Sequence, residues 1–309
     1  CVLVRSSGAV HLLSTWDEGV PEEIPHEHLY GISFNSTNFL KVLQGVEGAA
    51  TVGRVATDAL TPSSAGLLAK AFPAAELVDG EPLLRRARAV KTTGEIDAIR
   101  TSVAVAERAL DAAAAALAPG VTERALTGVF MEAMASAGVT TPASQDVAWI
   151  TSSDDPWRRA SRDAAVASGD LVVLEGGVIA GGYAGEVGRT HEVASVASGA
   201  RFRECDALLD RLMAACRPGA PASALLDAYA AAGVAPPPMP VARGLGLGYD
   251  LPLVTHALPR TAGEQRLAAG MTFALAAYVW ERGAGGVLRL EPVVVTADGA
   301  QSLSTQGVR

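Results

Sequence analysis

Cysteine is scarce in this sequence, and aromatic residues are few. The 309 residues include three cysteines, Cys1, Cys205 and Cys216, with no CxxC spacing among them. An odd and widely spaced set of this kind excludes a disulfide framework and a cysteine-based zinc site. It is typical of a reducing compartment, so we expect a cytoplasmic protein.

Long apolar runs are also missing. The longest, such as Ala113–Leu117, fall well below the roughly 18 residues that a membrane-spanning helix needs. The chain opens on Cys1 without a basic segment followed by an apolar one, so the sequence predicts no secretory signal. We therefore expect no membrane partner.

Positive charge is in deficit. The chain has 25 Lys+Arg against 33 Asp+Glu, which gives a formal net charge of -8 at pH 7. Nucleic acids require a cationic surface, so this balance excludes them as main partners. Hydrophobic residues, in contrast, make up 49% of the chain, enough to form one large core or two ordinary ones.

The pattern of elements divides the chain into two parts. Residues 1–85 alternate strand-like and helical runs, beginning with a hairpin over Cys1–Leu13, and this alternation predicts a small α/β domain. Residues 86–309 begin with a long helix for which Thr93 is the expected N-cap, and a second helix follows with Thr122 as its cap.

Residues from Val147 onward have a β-rich pattern. Glycines at positions 176, 177, 181, 182, 185 and 188 interrupt the apolar runs, and they predict breaks between separate strands.

Seven short motifs in the second part follow one another in order: Lys91–Ile96 (KTTGEI), Ala118–Glu123 (APGVTE), Gly169–Glu175 (GDLVVLE), Gly182–Thr190 (GYAGEVGRT), Gly244–Gly248 (GLGLG) followed by Pro252, Ala269–Leu275 (AGMTFAL) and Leu288–Thr296 (LRLEPVVVT). In order and spacing they resemble the creatinase/prolidase/aminopeptidase P family. The resemblance covers residues 91–309. It implies an α+β chain with a C-terminal pita-bread domain, a smaller α/β N-terminal domain, and assembly as a homodimer.

The resemblance also indicates where metal ligands should lie. In the metallopeptidases of this family two Asp, one His and two Glu hold two metal ions that activate a water molecule. The present sequence has at these positions Glu175, Glu186, Arg243, Ala276 and Glu291. Arginine cannot ligate a metal, alanine has no ligand atom, and the first two glutamates carry an extra methylene. We therefore expect a degenerate metal site that holds neither a metal nor another cofactor.

The family's catalytic histidines are replaced as well. Arg158 stands where the resemblance places one of them, beside Trp157. The second falls near Tyr249 or Asp250, with His256 a few residues beyond.

These substitutions leave three functions open, and the first is a metal-independent hydrolase or lyase. The family contains a metal-free precedent in creatinase. The substrate would be a small amide, an amidine, an amino-acid derivative or a short peptide. We expect the catalytic residues to be Glu175, Glu186, Glu291 and Tyr249. We expect the substrate-binding residues to be Arg243, Arg158, Trp157 and His256.

The second function is a non-catalytic homologue that binds a peptide or metabolite. Its arginines would pair internally with the glutamates that no longer hold metal, because a buried carboxylate without a cation is unfavourable. The third is an Xaa-Pro metallopeptidase in which three glutamates hold one hard cation.

Overall fold

The computed structural model describes residues 1–14, 20, 22–31, 36–157, 163–195, 197–248 and 250–305. Two of the predicted site residues, Arg158 and Tyr249, lie outside these ranges. The chain divides into two compact units, Cys1–Leu84 and Arg85–Arg309. None of the described helices is both long and apolar enough to span a membrane.

The first unit is a small α/β fold. Its strands and helices, in chain order, are β1 (Val2–Leu3), β2 (Val10–Ser14), β3 (Leu29–Gly31), α1 (Ser36–Gly45), β4 (Arg54–Thr57), α2 (Pro62–Ala71) and β5 (Glu76–Asp79). Strands β1 and β2 form the expected hairpin, β3 pairs with β2 in parallel, and β4 pairs with β5 in parallel. A core of five buried apolar residues holds the unit together: Leu43, Val46, Ala49, Ala71 and Phe72.

The second unit combines helices with one large sheet. Its helices, with the preceding connector α3, are α3 (Glu81–Ala89), α4 (Thr93–Ala115), α5 (Glu123–Ser136), α6 (Gly199–Ala215), α7 (Ala224–Ala231) and α8 (Pro259–Glu264). Its strands are β6 (Ala148–Ile150), β7 (Leu171–Ala180), β8 (Tyr183–Glu192), β9 (Ala242–Gly244), β10 (Leu253–Val254), β11 (Thr272–Glu281), β12 (Gly285–Thr296) and β13 (Gly299–Ser302). Together the two units confirm the α+β class that the sequence predicts.

Side-chain hydrogen bonds mark the starts of the two long helices. Thr92, and not the expected Thr93, is the N-cap of α4, because its hydroxyl accepts from the backbone N–H of Glu95 while the Glu95 carboxylate accepts from the backbone N–H of Thr92. Thr122 caps α5 as predicted, accepting from the backbone N–H of Ala125.

All eight strands of the large sheet are antiparallel to their neighbours, in the order β10-β9-β11-β12-β8-β7-β6, with β13 added on β12. Helices α4 and α5 pack on β7 and β8, and α6 and α7 pack on β11 and β12. We call the covered side the helix-packed face; it carries residues such as Leu174, Leu275 and Val293.

Of the glycines expected to break the strands, Gly181 and Gly182 form the turn between β7 and β8, whereas the other four lie within strands. Strand β7 runs through Gly176 and Gly177, and β8 runs through Gly185 and Gly188. Close packing explains their presence, since a Cβ at Gly185 would lie 2.6 Å from the backbone nitrogen of Val103 in α4. The breaks predicted at these four positions were wrong, because a strand glycine can admit a neighbouring element without ending the strand.

Candidate functional site

Three charged side chains meet on the face of the sheet opposite the helix-packed face. Glu175 on β7 is paired with Gly188 on β8, and Gly177 is paired with Glu186, so both glutamates point to the same side. Arg243 on β9 opposes Ala274 on β11. We call this side the site face.

The guanidinium of Arg243 lies between the two carboxylates. Its Nε donates to Glu186 Oε2 at 2.7 Å and its NH2 donates to Glu175 Oε1 at 2.7 Å, while NH2 also lies 2.5 Å from Glu186 Oε2. The side chains are partly exposed, 28% for Arg243 and 16% for each glutamate. We call these three residues the Arg–Glu cluster.

The cluster holds the arginine charged. Burial alone lowers the pKa of Arg243, but the carboxylates of Glu186 and Glu175 outweigh it and raise the pKa above its ordinary value. A permanently protonated guanidinium can bind anions and stabilise negative charge, but it cannot accept a proton or bind a metal.

Glu291 is not part of this cluster, which corrects the prediction of a three-glutamate site. Leu290 is paired with Gly188 and therefore shares the site face with Glu175, whereas the next residue, Glu291, points to the helix-packed face. There its carboxylate, with a side chain 0% exposed, accepts from Arg189 NH2 at 2.7 Å and from the Ser302 hydroxyl.

Apolar atoms occupy the remaining positions around the Arg–Glu cluster. A Cβ added at Gly188 would lie 3.0 Å from Leu290 Cβ and 3.2 Å from Glu175 Cβ, so the leucine side chain stands beside the first glutamate. Ala276 is fully buried on the same face. Neither residue can supply a ligand atom.

A dinuclear metal centre does not fit this set of donors. Such a centre needs carboxylates that bridge two ions, but the described part of the site face offers two carboxylates, and a guanidinium already occupies the space between them. Across the described ranges, no three His, Cys, Asp or Glu side chains converge in a way that could hold a metal ion.

The predicted substrate-binding residues Trp157 and His256 have different surroundings. Trp157 is 42% exposed and its ring centre lies 5.3 Å from that of Trp149. The Trp149 ring in turn lies 6.4 Å from Tyr278, whose hydroxyl donates to the Pro156 carbonyl at 2.7 Å. His256 is exposed, with its Nδ1 3.1 Å from the Pro237 carbonyl oxygen, and within the described residues it makes no contact with the Arg–Glu cluster.

Sequence reasoning missed a second charged group in the unit. Asp250 has a side chain 0% exposed and accepts from Lys91 Nζ at 2.9 Å and from Arg88 Nε at 3.3 Å. It also accepts from the backbone N–H of Leu247 at 3.1 Å, which ties it to the glycine-rich loop that follows Arg243. In the sequence this group is marked by Asp250, a charged residue followed by Leu-Pro in an otherwise apolar segment. Its partners could not be identified from the sequence, because they lie about 160 residues away.

The chain is similar to known proteins in family, sequence and fold. Residues 97–297 match the model of metallopeptidase family M24. Over 274 residues the chain is 30% identical to a probable dipeptidase, PepE, of Mycobacterium tuberculosis, an alignment that covers 85% of this chain and 71% of PepE.

Solved structures show a similar fold. X-Pro aminopeptidase of Thermotoga maritima gives a TM-score of 0.77 at 18% identity, covering 90% of this chain and 80% of that one. Dipeptidase PepE of Mycobacterium ulcerans gives a TM-score of 0.68 at 26% identity, covering 90% and 74%. These likenesses confirm the pita-bread fold that the order of the motifs predicts.

Proposed function

The chain belongs to metallopeptidase family M24, and we propose that within this family it is a metal-free member that binds a short peptide or an amino-acid derivative. One observation supports this above all: the Arg243 guanidinium donates to both Glu175 and Glu186, the glutamates at the family's first two ligand positions. A fixed positive charge there offsets the two carboxylates in place of a metal ion.

The same geometry argues against general-base chemistry. A general base is neutralised when it takes a proton from water, and a carboxylate paired with a permanently charged guanidinium would lose that ion pair on doing so. Glu175 and Glu186 both accept from Arg243, and Glu291 faces the other side of the sheet, where Arg189 and Ser302 hold it. Binding is therefore better supported than the metal-independent hydrolysis that the sequence favours.

A second candidate function is Xaa-Pro dipeptidase activity. It is favoured by the 30% identity to a protein described as a probable dipeptidase. This function would require a metal to displace Arg243 from the two carboxylates, at the loss of three charge-assisted contacts.

Metal content tests the proposal. The purified protein is incubated with Mn²⁺, Co²⁺ or Zn²⁺, desalted, and analysed by inductively coupled plasma mass spectrometry. We expect no stoichiometric metal, because the guanidinium holds the site. Two ions per chain would contradict the proposal and support the dipeptidase function.

A turnover assay separates the functions that need no metal. A panel of Xaa-Pro and other dipeptides is incubated with the protein in the presence of a chelator, and products are quantified by mass spectrometry. We expect ligands to raise the melting temperature without being hydrolysed. Hydrolysis that persists in chelator would instead establish a metal-independent hydrolase.

A further inference from the structure

We propose that the Arg–Glu cluster binds the ammonium and carboxylate groups of a single α-amino acid that has an apolar side chain. This inference rests on the proposed function and names the ligand class of that site. Several hydrogen-bond donors and acceptors of the cluster have no partner among the described residues, and these atoms are the ones that would bind the ligand.

Both donors and acceptors remain available at the cluster. A guanidinium carries five N–H groups, and the contacts to the glutamates use those on Nε and NH2 of Arg243. Among the described residues, NH1 of Arg243, Oε2 of Glu175 and Oε1 of Glu186 have no hydrogen-bond partner. None of these atoms is among the buried unpaired ones, so each is at least partly exposed to solvent.

The charge of the cluster selects a zwitterion. One guanidinium and two carboxylates give a net charge of -1. A simple anion would be repelled by the carboxylates, while a simple cation would leave the NH1 donors of Arg243 unpaired and face a like charge. A ligand with one ammonium and one carboxylate pairs with both kinds of group, so that each of its charges faces an opposite charge.

The spacing of these groups favours one amino acid over a dipeptide. Oε1 of Glu175 and Oε2 of Glu186 lie 2.5–2.7 Å from Nε or NH2 of Arg243, and the free oxygens belong to the same two carboxylates. The free acceptors and NH1 thus belong to groups in direct contact, and a ligand whose two charged groups share one carbon, as on the α-carbon of an amino acid, suits this arrangement. The two ends of an extended dipeptide are about 7 Å apart, at roughly 3.5 Å per residue.

An aromatic wall stands next to the cluster on the site face. Trp149 on β6 is paired with Val173, two residues before Glu175, so its backbone is displaced by about 7 Å along β7 from the glutamate at roughly 3.4 Å per residue. Its side chain is buried in the same apolar cluster as Leu290, while the exposed ring of Trp157 packs on it, and the hydrogen bond from Tyr278 to the Pro156 carbonyl holds this segment in place. The ring of Trp157 is therefore the surface that an apolar ligand side chain would contact.

Calorimetry with matched ligands tests the inference on the unaltered protein. L-phenylalanine is titrated alongside N-acetyl-L-phenylalanine, which lacks the ammonium, and L-phenylalaninamide, which lacks the carboxylate. We expect L-phenylalanine to bind and each blocked compound to bind about tenfold more weakly or worse, since each loses a hydrogen bond to a charged group. Glycine tests the side chain and should also bind more weakly.

Two variants test whether the ligand binds at the Arg–Glu cluster and against Trp157. Glu186→Gln should weaken L-phenylalanine binding by about tenfold, and Trp157→Ala should weaken L-phenylalanine but not glycine. Glu204→Gln on α6 is the matched control, because it removes one exposed carboxylate away from the site face and should leave affinity unchanged. Melting temperatures verify that each variant folds. If Glu186→Gln does not fold, the binding of the blocked ligands to the unaltered protein decides whether the inference holds.

The outcomes separate this inference from the proposed function. Equal binding of L-phenylalaninamide would overturn the inference in favour of a cation site. Binding of dipeptides without binding of any apolar amino acid would overturn it while the metal-free function stands. Stoichiometric metal in the protein would overturn the proposed function itself.

Discussion

Single residues set the charge balance of the site face. Arg243 brings one positive charge between Glu175 and Glu186, and the neighbouring Ala276 and Leu290 add none. Arg243 therefore also has a structural role, because two carboxylates this close would otherwise repel each other. Its removal should change both stability and metal binding.

Arg243→Gln should lower the free energy of unfolding by about 2 kcal/mol, less than for a fully buried pair because the side chains are partly exposed. Mn²⁺ should then stabilise the variant but not the unaltered protein, since two carboxylates without the guanidinium suit a hard cation. Urea denaturation with and without Mn²⁺ measures both effects. The control is Arg100→Gln, which breaks an exposed pair with Asp97. The same response to Mn²⁺ in both proteins would contradict the expectation.

Asp250→Ala should be more damaging, with a loss of about 3–5 kcal/mol, because it leaves the ammonium of Lys91 buried without its carboxylate. The Lys91 side chain is 1% exposed, and the glycine loop after Arg243 also loses its contact with Asp250. Urea denaturation is the measurement. Glu76→Ala, which breaks the exposed pair with Arg54, should lose less than about 1 kcal/mol. Similar losses for the two variants would show that the buried pair does not stabilise the unit.

At the scale of elements, strand alternation decides which side chains meet. Leu290 and Glu291 are adjacent on β12, yet their side chains point to opposite faces of the sheet. Glu291, Arg189 and Ser302 thus form a buried structural group on the helix-packed face, apart from the Arg–Glu cluster.

Glu291→Gln should therefore affect stability and not ligand binding. The loss of a charged acceptor for Arg189 should lower the free energy of unfolding by about 2 kcal/mol. Affinity for L-phenylalanine should remain unchanged, in contrast to Glu186→Gln. Calorimetry and urea denaturation on both variants test this. A large loss of affinity in Glu291→Gln would place this residue at the site after all.

The cap of α4 should make stability depend on pH. Burial raises the pKa of Glu95, but the hydrogen bonds from Thr92 outweigh it and lower the pKa below its ordinary value of 4.5. A carboxyl group with a depressed pKa in the folded state stabilises the fold above pH 4.5, and this stability is lost as the pH falls through the lowered value. Thr92 makes the largest of the favourable interactions, and the Tyr183 hydroxyl and the charge of Lys91 lower the pKa of Glu95 further.

Thr92→Ala should lower the free energy of unfolding by about 1 kcal/mol near pH 7, and by less at a pH well below 4.5, as Glu95 becomes protonated. Thr122→Ala is the control, because Thr122 caps α5 through the Ala125 N–H, without a carboxylate partner in a capping box. Urea denaturation at the two pH values compares them. A loss in Thr92→Ala that is independent of pH would show that the Glu95 carboxylate does not contribute.

At the scale of the whole molecule, the two units differ in the size of their cores. The first has five buried apolar residues, whereas the second has three clusters that contain most of the chain's fully buried side chains. A homodimer and a cytoplasmic location remain predictions from the family resemblance and the composition.

Hydrogen exchange should reflect this difference. Backbone amides in residues 36–84 should exchange faster than those in the strands of the large sheet, because a small core permits opening at a lower free energy. Exchange measured by mass spectrometry on the intact chain gives both rates. Equal protection in the two units would indicate that they unfold together.

The amino-acid sequence by itself determined the family, the α+β class and the loss of metal ligands at two positions. The seven motifs preserve their order along the chain, and Arg243 and Ala276 are unsuitable as ligands wherever their side chains point. The cap at Thr122 was also predictable, because a cap bonds to a backbone group three residues away.

Only the tertiary structure decided which of these residues act together. The face that Glu291 occupies depends on the register between β12 and β8, which a single strand does not specify. The strand glycines are explained only by the packing of α4 against β8, and the partners of Asp250 only by the contact of Lys91 with the glycine-rich loop. Both contacts join elements that are distant in sequence. Local patterns determine local structure, whereas the charge balance of a site depends on the side chains that distant segments bring within a few ångströms.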